Sequence, residues 1–176
     1  MKIKTYLLLI IIHLGYLNAQ GWETPIIDGY GEVKYFEKAE IKPNSSVDYK
    51  LLFDIKNETE KSGINKGLWV IARTLNVLSL GKVPSRNIKI VASIHGDASF
   101  LTLNSEAYQK KFGKPNPNLD IIDKLRANGV NLFVCSQATA SRNIDHKSIN
   151  EKVTPALSGL NVLATYQLGG YIYMPH

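Results

Sequence analysis

The residue best suited to chemistry is the single cysteine, Cys135, in the stretch VNLFVCSQATA. A cysteine thiolate is a nucleophile that attacks disulfides and sulfane sulfur. Cys135 lies between an apolar run and a segment with helical character. Backbone N–H groups at the start of a helix favour an anion, so this position favours a reactive thiolate. The alternative is an inert cysteine that fills space at the end of a strand.

His95 is the second candidate, because an imidazole exchanges protons near neutral pH and can act as a general base or as the partner of a thiolate. It stands before Gly96 and Asp97, directly after an apolar run. The alternative is that the His-Gly pair only shapes a turn. No Cys/His pair has the spacing of metal ligands, so the sequence predicts no metal site.

Four more polar residues are candidates for lining a ligand crevice. Asp54 and Lys56 lie at the end of another apolar run, and Ser136 and Gln137 follow Cys135. The first two are equally well explained as charges at the end of a strand, and Gln137 as a water-exposed residue in a first helical turn. Phosphate-binding glycine loops and nucleophile elbows are absent, so we expect no cofactor. Whether the protein is an enzyme stays open at this point.

A parallel sheet would bring these separate segments together. Short apolar runs typical of buried strands alternate with longer segments of helical periodicity. Strands are predicted at 49–55, 88–96, 130–134, 152–154 and 171–175. Helices are predicted at 63–81, 100–112 and 119–129, near Gln137, and at 157–168. Five strands separated by helices imply crossover connections, and therefore a mostly parallel sheet with helices on both faces.

Two local features accompany these elements. Asn116 or Asn118 is predicted to cap the helix at 119–129. The apolar stripe on 157–168 is expected to be either core or an oligomer interface.

The first residues, MKIKTYLLLIIIHLGYLNAQ, have the three-part pattern of a secretory signal. Two lysines precede an apolar run, and the small residue Ala19 lies where a signal peptidase would cut. We predict a signal at 1–19 and a periplasmic or secreted protein with no membrane span after cleavage. An uncleaved anchor is the alternative.

The remaining chain is predicted to be one domain with an N-terminal extension. Residues 20–48 are rich in Gly, Pro, Tyr and Asn without sustained periodicity, so we expect an arm that packs along the domain or against a neighbouring subunit. The domain itself is predicted at 49–176. The surplus of basic side chains, 21 Lys and Arg against 15 Asp and Glu, is dispersed, so we expect no nucleic-acid partner.

A series of motifs follows in order: a strand ending in His95-Gly96, a capped helix, ANGV, VCSQA and ALSGLNVLATYQLGGYIYMP. Over 49–175 their order and spacing resemble the DsrE/DsrF-like sulfur-relay family, which has a YchN-like fold. The resemblance implies a three-layer α/β/α domain with a five-stranded parallel sheet in the order 2-1-3-4-5. It also implies a homo-oligomer, such as a trimer or hexamer. Cys135 matches the cysteine that sulfur-relay members use as a persulfide carrier.

The implied strand order predicts where a ligand would bind. Ligands of doubly wound sheets bind outside the carboxyl ends of the strands, near the point where strand order reverses. With the order 2-1-3, the first three strands flank this point. We therefore expect one rim to carry Asp54, Lys56, His95, Gly96, Asp97, Cys135, Ser136 and Gln137.

Two functions fit these observations. The first is an exported DsrE-like protein whose Cys135 holds sulfur as a persulfide or mixed disulfide, exchanged with a donor or acceptor protein or a small thiol. The second is a non-catalytic oligomeric module that binds a small ligand or a protein, with a structural Cys135. Export departs from the known sulfur relays, which work in the reducing cytoplasm, because an exposed thiol outside it is readily oxidised.

Overall fold

The computed structural model describes residues 21–175. The predicted signal at 1–19 therefore lies outside the described residues. A five-stranded sheet, parallel at every pairing of its strands, lies between layers of helices. The predicted three-layer α/β architecture is confirmed. None of the helices in the described part of the chain is long and apolar enough to cross a membrane.

The elements follow the predicted alternation of strands and helices. The strands are β1 (Tyr49–Ile55), β2 (Glu60–Lys61), β3 (Ile64–Asn65), β4 (Ile88–Ile94), β5 (Asn131–Cys135), β6 (Thr154–Ala156) and β7 (Ile172–Pro175). The helices are α1 (Lys66–Leu80), α2 (Ser105–Phe112), α3 (Leu119–Ala127), α4 (Ser136–Ser141) and α5 (Gly159–Leu168). The β2–β3 hairpin forms a separate two-stranded sheet. It was not predicted, because strands of two residues carry no periodicity.

The order of the strands is β6-β5-β4-β1-β7, so the expected order 2-1-3-4-5 is wrong. The first four strands of the main sheet lie side by side in chain order, and β7 pairs with the free side of β1. The reason is the path of α5, which packs across β1, β4 and β5. The chain leaves this helix beyond β1 and adds β7 to the open edge there.

The larger part of the core lies between the sheet and the layer that contains α1 and α3. The apolar residues of α1 recur at a 3-4-3 spacing that places them on one side of the helix. These residues, Leu68, Ile71, Leu75 and Leu78, are all buried. A smaller cluster on the opposite face holds Val162 of α5 against Leu52 and Val91. That face of the sheet carries the candidate site.

The arm, residues 21–48, lies along α1 and contributes Ile27 to the core, while Val33 of the arm is also buried. It is held mainly by Asn76 of α1, which is fully buried. The Asn76 amide makes four hydrogen bonds to arm backbone, accepting from the N–H of Ile26 and Ile27 and donating to the carbonyls of Tyr30 and Gly31.

We expect Asn76→Ala to lower the free energy of unfolding by about 3 kcal/mol, because four backbone groups lose their partner where water is excluded. Urea unfolding at equilibrium measures this change. Asn128→Ala, which removes one exposed hydrogen bond to Lys124, is the matched control and should cost about 0.5 kcal/mol or less. Equal losses in the two variants would contradict the role given to Asn76.

The prediction that Asn116 or Asn118 caps α3 is right for the N-cap position of Asn118 and wrong for the side-chain hydrogen bond. Asn118 stands at the start of α3 but makes no side-chain bond to that helix. Its amide oxygen instead accepts the backbone N–H of Asn65. The Asn116 amide donates to the carbonyls of Leu101 and Leu103. Tertiary partners thus compete successfully with the local cap that the sequence suggests.

Candidate functional site

The site forms at the carboxyl ends of three neighbouring strands, β1, β4 and β5. Their registers pair Asp54 with Ser93 and Ile94 with Val134, so the strands end at nearly the same level. Side chains alternate between the two faces of a strand. Leu52, Val91 and Phe133 lie on the face of the sheet that packs against α5. Asp54 and Cys135 each lie two residues beyond one of them along their strands, and His95 lies four residues beyond another, so all three side chains lie on the same face.

Asp54 is the buried centre of a hydrogen-bond network. Only 5% of the residue is exposed. Its Oδ1 lies 2.6 Å from Nε2 of His95, and its Oδ2 accepts a hydrogen bond of 2.6 Å from the hydroxyl of Tyr173. A buried carboxylate needs such partners. Asp54 therefore does more than end a strand: it orients an imidazole and a phenol.

Tyr173 comes from β7 and was not among the sequence candidates. The hydrogen bond to Asp54, together with burial and the charge of that carboxylate, raises the pKa of Tyr173. The phenol therefore stays protonated and keeps donating. This bond stabilises the fold below about pH 10, the ordinary pKa of tyrosine, and is lost as the pH rises through the raised pKa. The wrong strand order concealed this residue, because it placed the last strand away from β1.

The pairing with Asp54 fixes the tautomer of His95. A carboxylate can only accept, so we assign a proton to Nε2. In the neutral imidazole, Nδ1 is then the basic nitrogen. Nδ1 has no hydrogen-bond partner among residues 21–175. The imidazole is thus held at one nitrogen and available for proton exchange at the other.

Cys135 is the last residue of β5 and stands at the N-cap position of α4. Its Sγ accepts the backbone N–H of Ala138 at 3.4 Å. Sulfur is a weak acceptor, and this bond orients the side chain of Cys135 toward the first turn of α4. The cysteine is free, and 7% of it is exposed.

Gly159, the first residue of α5, closes over the two candidate side chains. A Cβ placed on it would lie 3.3 Å from Cβ of His95 and 3.4 Å from Cβ of Cys135. The side chains of His95 and Cys135 therefore both leave the backbone next to Gly159. Ser93 donates a hydrogen bond to the carbonyl of Gly159 at 3.3 Å and ties the helix start to β4. Only glycine permits this approach without displacing a neighbour.

The thiol and the imidazole open into one pocket of about 350 Å³. Its lining consists of His95, Cys135, Gln137, Ala138, Ser158, Gly159 and Leu160. Gln137 donates a hydrogen bond to the carbonyl of Leu157. The segment from Ser158 to Leu160 was not predicted as part of a site, although a serine before an apolar helix is a recognisable N-cap signal.

Lys56, Gly96 and Asp97 do not line this pocket. Lys56 has an exposed side chain, and its carbonyl accepts the N–H of Ala98. Gly96 has a positive φ of 58°, and a Cβ there would lie 2.7 Å from the carbonyl oxygen of Lys56, so it shapes the turn. Asp97 forms an ion pair with Arg142 at 2.8 Å and lines a different, polar pocket. The eight residues that were expected on one rim therefore do not form a single site.

Ser136 is the first residue of α4, and its carbonyl accepts the hydroxyl of Thr139. It does not line the pocket that contains Cys135. In the described part of the chain, no group of three or more His, Cys, Asp and Glu side chains is placed to hold a metal ion.

Comparisons with known proteins concern the family and the fold of the chain. The model of the DsrE/DsrF-like family matches residues 50–175, a range that contains every side chain of the site. A protein of unknown function from Methanobacterium thermoautotrophicum, MTH1491, is 19% identical, with a TM-score of 0.53 over 73% of this chain and 100% of its own. The ychN protein from E. coli is 17% identical, with a TM-score of 0.46 over 73% and 99%. No curated protein matches the sequence.

Proposed function

The chain belongs to the DsrE/DsrF-like family, and we propose on this basis that it is a sulfur carrier that holds sulfane sulfur as a persulfide on Cys135. The observation that supports this best is the placement of its one thiol. Cys135 accepts a helix N–H bond and shares an open pocket with His95. These are the conditions for a nucleophilic thiolate.

The proposed reaction is an exchange of sulfur without net oxidation. The Cys135 thiolate attacks the outer sulfur of a donor persulfide, forming a new S–S bond while the donor S–S bond breaks. The donor leaves as a thiolate. His95 takes the proton of the Cys135 thiol on Nδ1 and returns it to the departing thiolate. An acceptor thiol then removes the sulfur by the same exchange.

Asp54 and Tyr173 are positioning residues in this scheme. Asp54 holds the Nε2 proton of His95 and stabilises the imidazolium that forms when Nδ1 takes a proton. Tyr173 satisfies the second carboxylate oxygen. The network leaves one basic nitrogen and keeps it in place.

Mass spectrometry of the native protein after brief treatment with glutathione persulfide tests the proposal. We expect the mass of one added sulfur atom on Cys135, removable by a small thiol, and no such addition to Cys135→Ser. If the native protein takes no sulfur while the unfolded chain does, the carrier function is wrong.

A ligand-binding module is the second candidate function, and the low exposure of Cys135, 7%, favours it. In that case the thiol is a packing residue under Gly159, and the pocket binds a ligand without covalent chemistry. Slow native labelling and unchanged behaviour of Cys135→Ser would support this function.

We also propose that the protein is a homo-oligomer, a trimer or a hexamer, joined through α5. This helix is apolar around most of its circumference, which is typical of a helix that is covered. Yet Leu157, Leu160 and Leu168 are 75%, 77% and 91% exposed, and Ile172 of β7 is 63% exposed. Leu160 also lines the Cys135 pocket, so a neighbouring subunit would border the site.

Replacing both Leu160 and Leu168 with Glu should convert the oligomer to monomers, because the two carboxylates would have to be buried in an apolar interface. Sedimentation equilibrium measures the mass. Ile41→Glu, at an arm position that is 92% exposed, is the control and should leave the mass unchanged. A wild-type protein that is monomeric at all concentrations would contradict the proposal.

Export is the remaining part of the proposal, supported by the signal pattern of the first residues. Mass measurement of the protein recovered from its host should give a chain that begins at Gln20. A chain in the cytoplasm that retains its first residues would contradict export.

A further inference from the structure

The arm builds a second cavity, on the opposite side of the sheet from the Cys135 pocket. It lies between residues 21–48 and the outer face of α1, and we call it the arm groove. Its volume is about 310 Å³, at the lower end of the roughly 300–1,000 Å³ of small-molecule sites. Its lining includes Trp22, Lys34, Phe36, Lys42, Arg73 and Val77.

The walls of the arm groove are fixed before any ligand arrives. Arg73 donates two hydrogen bonds, of 3.1 and 2.9 Å, to the carbonyl of Glu32. A Cβ on Gly31 would lie 2.2 Å from the backbone nitrogen of Arg73, so the arm touches α1 closely. Together with the Asn76 bonds, these contacts give a preformed groove, which lowers the entropy cost of binding.

Large apolar side chains remain exposed along the groove. Trp22 is 63% exposed, Phe36 58% and Val77 39%. A set of neighbouring exposed aromatic and aliphatic side chains is typical of a binding surface. An apolar body placed between the arm and α1 would cover them.

The charged residues of the lining are all cations. Lys34, Lys42 and Arg73 line the groove, and no carboxylate does. None of the three forms an ion pair with an acidic side chain of residues 21–175. Arg73 stacks on Trp69, with 4.3 Å between guanidinium and ring, and Lys42 donates to the carbonyl of Glu37. Lys34 is half-buried. Its ammonium group makes no ring contact and no hydrogen bond within the described chain, so its charge is available to a ligand.

We propose that the arm groove binds an amphipathic carboxylate. The alkyl or aryl body lies between the arm and Val77, and the carboxylate lies at Lys34 and Arg73. The charge complementarity selects an anion, the apolar lining selects a long body, and the volume limits it to a small molecule such as decanoate.

Calorimetric titration of the purified protein with decanoate tests this proposal. We expect saturable binding, and much weaker binding of both decanol, which lacks the charge, and acetate, which lacks the body. Lys34→Gln should weaken decanoate binding about tenfold, because a charge-assisted hydrogen bond is lost. Lys152→Gln, at an exposed lysine outside the groove, should not change it.

A second variant separates binding from folding. Val77→Trp fills the groove at an exposed position of α1 and should abolish decanoate binding while the helical circular dichroism is retained. No heat of binding up to about 1 mM decanoate, equal effects of the two lysine variants, or equal affinity for decanol would overturn the proposal. Sedimentation with phosphatidylglycerol vesicles without decanoate binding would overturn it in favour of a membrane surface.

Discussion

His95→Asn should slow persulfide formation on Cys135 about a hundredfold at neutral pH, because a positioned general base contributes roughly 10²- to 10⁴-fold. Quenched mass spectrometry with glutathione persulfide gives the rate. At about pH 10, above the ordinary pKa of a cysteine thiol, solvent removes the proton without help. The deficit of the variant should therefore become much smaller there.

His146→Asn is the matched control, since His146 is exposed and lies outside the Cys135 pocket. It should react at the wild-type rate at both pH values. A deficit of His95→Asn that is equally large at both would mean that the imidazole does not act through proton transfer.

Asp54→Ala should lower the free energy of unfolding by about 3 kcal/mol. The substitution removes two short hydrogen bonds to a charged acceptor, each worth roughly 1.5 to 3 kcal/mol, and leaves His95 and Tyr173 without their partner. Tyr173→Phe removes one of these bonds and should cost about 1 kcal/mol, since the phenol is partly exposed. Equilibrium unfolding in urea measures both.

Asp123→Ala, at an exposed position of α3, is the control for loss of a carboxylate and should stay within about 0.5 kcal/mol of wild type. A loss of less than about 1 kcal/mol for Asp54→Ala would show that the buried network is not held as described.

Much of the site was predictable, because the three strands that carry it are neighbours in the sheet even though the expected strand order was wrong. Asp54, His95 and Cys135 end the first three strands of the main sheet. These strands are neighbours in the expected order 2-1-3 and in the observed β1-β4-β5 arrangement. Parallel strands that are neighbours bring their carboxyl ends together in either case, so the three side chains meet.

Tyr173 and Gly159 could not be predicted in the same way. Tyr173 reaches Asp54 only because β7 pairs with β1, and that pairing follows from the path of α5 over the sheet. Gly159 approaches Cys135 only because α5 begins above β4 and β5. Both depend on tertiary packing, for which the local sequence carries no periodicity.

The exposed face of α5 shows another limit of prediction from the sequence. The leucines of 157–168 were expected in the core or at an interface. The sheet covers one side of the helix, where Val162 is buried, while Leu160 and Leu168 stay exposed in the single chain. An apolar sequence indicates that a surface is covered and leaves open whether the cover is the same chain or another copy.

Alkylation of Cys135 by iodoacetamide at neutral pH, in the folded protein and in the same chain unfolded in guanidinium, measures whether the fold activates the thiol. We expect the folded protein to react at least as fast as the unfolded chain, because Cys135 lines an open pocket together with His95, whose imidazole can take the proton of the thiol. A folded protein that reacts a hundredfold or more slowly than the unfolded chain, a protection of about 2.7 kcal/mol, would contradict a carrier role for Cys135.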